Sequence, residues 1–134
     1  MKMIKDLYLI AVMFSIILII DGCKQDDPSP SEQLIGSWKY VSTVSSGCTD
    51  PTDNGTHTCS IDCTVLEFTS TTVKITDSSS ITYTYTISGS TLKVTVQGQI
   101  ETYTLSISGK TLTLTEQATM DDGNCKDVST YTKL

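Results

Sequence analysis

Residues 82–96 and 102–116 carry the same hairpin twice. Thr-Tyr-Thr-Tyr-Thr-Ile-Ser-Gly-Ser-Thr-Leu-Lys-Val-Thr-Val is followed, twenty residues on, by Thr-Tyr-Thr-Leu-Ser-Ile-Ser-Gly-Lys-Thr-Leu-Thr-Leu-Thr-Glu. Each copy alternates apolar residues with Thr or Ser, turns at Ser-Gly, and alternates again. That period of two belongs to half-buried antiparallel strands, with Gly supplying the positive φ of the turn. The repeat constrains the fold strongly, and it names neither a ligand nor a reaction.

The same alternation predicts eight strands, roughly at 38–45, 64–69, 73–77, 81–87, 92–96, 100–107, 112–116 and 127–133. No helical period follows the N-terminal apolar run. Short links join neighbours at 70–72, 88–90 and 108–110. The opposite end carries 77–80 and 97–99, with two long loops, 46–62 and 117–126. An even-numbered meander without crossovers closes most simply into an all-β, eight-stranded antiparallel up-and-down barrel, which removes both sheet edges. The alternative is an open two-sheet sandwich.

Sorting side chains by parity and distance from the turns gives an expected interior. Trp38, Phe68, Val73, Ile87, Leu92, Ile107 and Leu112 should plug the short-turn end. Val44, Asp77, Ile81, Tyr83, Val96, Glu101, Tyr103 and Glu116 should face inward near the long loops. Tyr85 should lie deeper. In the last strand either Val128, Thr130 and Thr132 or Tyr131 could point inward. Outward Thr residues need no explanation beyond strand propensity and solubility.

The 134 residues support one domain once the N-terminus is set aside. Lys2 and Lys5 precede an apolar run at 7–20, shorter than the ~20 residues of a spanning helix. This is the form of an export signal. Ile20-Asp21-Gly22-Cys23 resembles a bacterial lipobox, in which the Cys is diacylated and becomes the first mature residue. The resemblance implies a signal peptide at 1–22, a lipid on Cys23, and a tether at 23–33. The barrel domain would be 34–134. A plain secretory signal or an uncleaved anchor is the alternative. The tether is polar and carries two of the three prolines, so it buries little. Lys24-Gln25-Asp26-Asp27 resembles the surface-export signal of some Bacteroidetes lipoproteins; a solvated linker reads equally well.

The chain carries a formal net charge of −6 and no Arg. Losing 1–22 removes Lys2, Lys5, Asp6 and Asp21 and leaves that charge unchanged. Nucleic-acid binding is disfavoured, because phosphate contacts supply most of its affinity. Membrane attachment would depend on the lipid of Cys23, with no basic patch to help.

Besides Cys23, four cysteines remain: Cys48, Cys59, Cys63 and Cys125. An even count in an exported chain predicts two disulfides. Four cysteines allow three connectivities. Pro51 and Asp53-Asn54-Gly55 favour a turn between Cys48 and Cys59, so we expect Cys48–Cys59 with Cys63–Cys125. Cys48–Cys63 with Cys59–Cys125 comes next. A zinc site of His57, Cys59, Cys63 and Cys125 lacks a recognised spacing and would require reduced thiols. The acidic residues Asp50, Asp53, Asp62, Asp121, Asp122 and Asp127 show no calcium-loop spacing and read as a solvated rim. No metal or cofactor is therefore expected. Glu101 and Glu116 could form a carboxylate pair, but neither a nucleophile triad nor a phosphate cradle accompanies them. We expect no enzyme.

Leu34-Ile35-Gly36-Ser37-Trp38, then Leu66-Glu67-Phe68, then the two Ser-Gly hairpins resemble the small lipocalin-like domains found as lipoproteins in Bacteroidetes. The resemblance spans nearly all of 34–134. It implies an outer-membrane protein, lipid-anchored and facing the periplasm or the cell surface, that binds a small, partly apolar ligand at the barrel mouth. Gly36 and Trp38 would be structural, with the indole N–H reaching a backbone carbonyl at the rim. Lipocalins place an Arg across that Trp; here Lys133 is the only cation in a comparable place. Val44, Tyr83, Val96 and Tyr103 are the expected ligand contacts. A protein-interaction or inhibitor module acting through the acidic loop 46–62 is the rival reading, and a bare structural domain in an envelope assembly is a third.

Overall fold

The computed structural model describes residues 27–117 and 124–134. The expected signal peptide at 1–22, Cys23, Asp121 and Asp122 lie outside the described residues. A short helix, α1 (Pro30–Leu34), leads into nine strands. These are β1 (Gly36–Ser46), β2 (Gly55–Thr58), β3 (Val65–Phe68), β4 (Thr72–Thr76), β5 (Ser80–Ser88), β6 (Thr91–Val96), β7 (Gln99–Ser108), β8 (Thr111–Gln117) and β9 (Lys126–Lys133). Every pairing is antiparallel, and β1 pairs with β9, so β1 and β3 to β9 form a closed eight-stranded barrel. The eight expected strands are all present, and β2 is an addition.

The barrel is strongly staggered. β5 pairs with β4 through Ser80–Thr84 and with β6 through Thr84–Ser88. β7 likewise pairs with β6 through 99–104 and with β8 through 104–108. A closed barrel requires such tilt and shear. It also corrects the expected heights. Val73 stands opposite Tyr83, and Leu92 opposite Tyr103. The two tyrosines are therefore level with residues assigned to the floor, because counting from the turns ignores the slant between strands.

Both repeated hairpins turn in two residues, with Gly89 and Gly109 at φ 57° in the first position. This is the II′ arrangement, whose twist matches that of the flanking strands.

The N-terminal end of β1 carries the floor. Trp38, Leu34, Leu92 and Leu112 are fully buried there. The Trp38 Nε1–H donates to the Leu34 carbonyl at 2.7 Å. The Lys133 ammonium sits 5.0 Å from the centre of the Trp38 ring and donates to the Gln33 carbonyl at 3.0 Å. Gly36 makes room for this. A Cβ there would meet Lys133 Cε at 3.3 Å, and its φ of 124° disfavours any other residue. So the Gly-x-Trp motif and the distant Lys133 form one unit, and Lys133 fills the place expected for it.

Helix α1 corrects the tether boundary. Ser29 accepts from the Glu32 N–H while Glu32 accepts from the Ser29 N–H, and Pro30 occupies the first turn. That is a capping box with proline at its favoured position. The hydrogen bonds hold the Glu32 carboxyl below its usual range. The helix packs against β7 and brings Leu34 onto the floor.

β2 and β3 behave as one strand interrupted. β2 lies opposite residues 42–45 of β1, and β3 opposite residues 36–39. Between them Cys59 N–H donates to Val41 O and Tyr40 N–H donates to Thr64 O, so the ladder continues on both sides of the interruption. The intervening residues project outward, and Cys59–Cys63 closes their base. The second disulfide is Cys48–Cys125. Both favoured connectivities are thus overturned. The turn at 50–54 did not place Cys59 near Cys48. Instead β2 follows β1 downward and carries Cys59 toward Cys63, while the β1–β9 ladder brings Cys48 beside Cys125.

The two bridges close loops of very different length, with sequence separations of 77 and 4. Chain-entropy reasoning gives the longer about 4–5 kcal/mol and the shorter about 2 kcal/mol. Peptide mapping of the non-reduced protein should recover Cys48–Cys125 and Cys59–Cys63. Urea unfolding should show a clearly greater loss of stability for the Cys48→Ser/Cys125→Ser variant than for Cys59→Ser/Cys63→Ser.

Candidate functional site

Above the floor the interior opens into a cavity of about 110 Å³. Leu66, Phe68, Val73, Ile75, Val94, Val96 and Leu114 form its apolar wall, and Glu101, Tyr103, Ser129 and Tyr131 its polar side. Parity explains the apolar part: β3, β4, β6 and β8 each turn alternate aliphatic or aromatic residues inward. The wall is stiffened by Phe68 against Tyr85, with ring centres 5.4 Å apart, and by the Tyr85 hydroxyl donating to the Thr69 carbonyl.

Beside the polar side, β1 carries a bulge. Tyr40 stands opposite Tyr131, but Ser42 stands opposite Thr130, leaving Val41 as the extra residue. A β-bulge of this kind shifts the side-chain parity beyond it. Tyr131 and Ser129 line the cavity, and the Thr43 Oγ1 lies 2.8 Å from the Ser129 Oγ, so Thr43 shares their inward face. Val44, the next residue, takes the outer face beside Val128 and is 43% exposed. Strict alternation from Trp38 had placed it inside. The Tyr40 hydroxyl bridges the bulge by donating to Thr43 Oγ1, and its ring meets Tyr131 edge-on at 5.6 Å.

Of the four expected ligand contacts, the structure brings Val96 and Tyr103 together at the cavity. Tyr83 is half-buried and packs on the core without lining the cavity, and Val44 is not brought to it. Tyr131 and Ser129 enter instead. Tyr131 was one of two readings for β9, and the inward position of Lys133 two residues later would have favoured it. The bulge has no signal in residue type.

The Tyr103 hydroxyl donates to Glu101 Oε2 at 2.7 Å. Burial, this bond, and the charges of Glu116 and Glu101 all push the Tyr103 phenol well above its ordinary range. Burial raises Tyr131 and Tyr85 in the same direction. Tyr103 therefore remains a neutral donor to Glu101.

The remaining chemical candidates separate. All four cysteines, Cys48, Cys59, Cys63 and Cys125, are consumed by disulfides, so no thiolate meets His57. His57 lies on β2, exposed. Asp50 is drawn below its usual range by the Thr52 hydroxyl and N–H, and caps the turn Pro51–Asp53. Among the described residues no group of three or more His, Cys, Asp or Glu is arranged to hold a metal ion. Comparison of the sequence with protein-family models and with curated proteins finds no match.

Three phenols with raised pKa, Tyr85 buried and Tyr103 and Tyr131 partly buried, give the fold an alkaline limit. Their stabilising effect is complete below the unfolded value of about 10 and is lost as pH rises through the folded values. In an alkaline titration followed by phenolate absorbance, Tyr85, Tyr103 and Tyr131 should ionise together with the loss of near-ultraviolet circular dichroism. Tyr103→Phe should remove part of that coupled step.

Proposed function

We propose that this chain is an exported, lipid-anchored binding protein of lipocalin-like type, whose barrel receives a small, partly apolar molecule at its open end. The supporting observation is the cavity: an apolar wall, one concentrated polar side, and a solid floor beneath. At about 110 Å³ it is smaller than an apolar cavity of ~150 Å³ that admits benzene. It suits a short alkyl chain or a small ring, with the remainder of the ligand projecting past the rim. The reading is one of binding, with no catalytic step assigned to Glu101 or Glu116. The lipobox-like Ile20-Asp21-Gly22-Cys23 supports anchoring to the outer membrane, on its periplasmic or its outer side.

Methyl and amide shift mapping with 1-pentanol tests the site. Shifts should concentrate at Val96, Leu114 and Tyr131, and Val96→Phe, which fills the cavity, should abolish them. Val44→Ala should leave them unchanged. Shifts scattered over the outer face would count against the reading. Anchoring is tested separately: in a bacterial host the intact chain should partition with membranes and label with palmitate, and Cys23→Ser should do neither.

A second reading, a protein-docking module within loop 46–62, is supported by Ile61. It stands 79% exposed between two disulfide-joined cysteines, next to Asp62. Ile61→Ser would leave the 1-pentanol shifts intact while removing any interaction made through this projection.

A further inference from the structure

The polar side of the cavity carries one carboxylate, Glu101. Glu101 and Tyr103 line it directly, sharing a hydrogen bond. On β8, Leu114 points into the cavity, so Glu116, two residues on, has the same parity. On β9, Ser129 points in, and Asp127 shares its parity in turn. Glu116 and Asp127 are direct partners in the β8–β9 ladder. Like charges placed directly opposite are unfavourable in a sheet, and here they stand at the entrance rather than on a solvated outer face.

Among the residues that line the cavity there is no Lys or His. Lys133 is committed to the floor, over Trp38 and bound to the Gln33 carbonyl. The Asp127 Oδ1 is buried and has no hydrogen-bond partner among the described residues. The aromatic component is present as well: Tyr103 and Tyr131 line the cavity, and Tyr40 packs edge-on against Tyr131.

We propose that the cavity is a site for a small organic cation, a primary ammonium head on a short apolar body. This rests on reading the cavity as the ligand site. The body would lie against Leu66, Ile75, Val96 and Leu114. The ammonium would sit at the polar side and donate to the Glu101 carboxylate, whose Oε2 already holds the Tyr103 hydroxyl. The Tyr103 and Tyr131 faces add attraction for a cation. Glu116 and Asp127 supply the field at the entrance, which draws cations in and repels carboxylates.

Three probes with the same five-carbon body separate the head from the body: n-pentylammonium, 1-pentanol and pentanoate. Their affinities for the full, oxidised protein would be measured by shift titration at neutral pH and low salt. Pentylammonium should bind about tenfold tighter than 1-pentanol, the scale of one charge-assisted hydrogen bond, and pentanoate should be weakest. Glu101→Gln should bring pentylammonium down to the level of 1-pentanol and leave 1-pentanol unchanged. Equal or tighter binding of 1-pentanol or pentanoate to the unaltered protein would overturn the cation assignment and leave the cavity reading standing. If none of the three binds, the cavity reading fails and the assignment with it. The ordering is read on the unaltered protein, so the test does not depend on any variant folding.

Discussion

The β1–β9 ladder, locked at the floor by Trp38 and Lys133, is the contact on which the rest of the barrel depends. It joins the first strand of the domain to the last, so among the described residues the eight-stranded barrel has no open edge, and only the added β2 pairs on one side alone. At its lower end the Lys133 stem crosses Gly36, the ammonium covers the Trp38 ring, and the same ammonium ties down the Gln33 carbonyl. The indole N–H holds Leu34. One packed unit therefore closes the barrel, seals its floor and fixes helix α1. At its upper end the ladder brings Cys48 to Cys125, a covalent repeat of the same closure.

Between these two fastenings the ladder carries the bulge at Val41. Had β1 run without the extra residue, Val44 instead of Thr43 would face inward beside Ser129. With it, Thr43 and Ser129 meet inside and Val44 faces out. The face that β1 turns toward Ser129 is thus set by backbone register as much as by residue identity. The Glu101 carboxylate of β7 then faces a cavity whose apolar wall is made by β3, β4, β6 and β8.

Much of the fold was legible in the residues, for identifiable reasons. The Thr-rich alternation of residues 82–116 marks strands and turns because period and Gly position are local properties. The roles of Trp38 and Lys133 were also legible, since a large ring at the start of a first strand needs a rim carbonyl and a cover. Helix α1 was missed, because the polar, proline-bearing stretch 23–33 read as a tether although Ser29, Pro30 and Glu32 spell a capping box. What could not be read is non-local. The shear that sets Leu92 opposite Tyr103 depends on closure. The continuation of β2 into β3, which decides the disulfides, depends on β1 serving two partners along one edge. The bulge is set by how Tyr40 and Thr43 meet β9. Of the residues expected at the mouth, Val96 and Tyr103 line the cavity, Tyr83 stands opposite Val73 without lining it, and the bulge turns Val44 outward.

The bulge is the most direct point at which to test this account. In a through-space proton correlation spectrum of the folded, oxidised protein, the Thr43 methyl group should show contacts to the Ser129 β-protons and the Tyr40 ring. The Val44 methyls should show contacts to Val128 and to no residue of the cavity wall. Contacts from the Val44 methyls to Leu114 or Tyr131, with Thr43 turned to solvent, would contradict it.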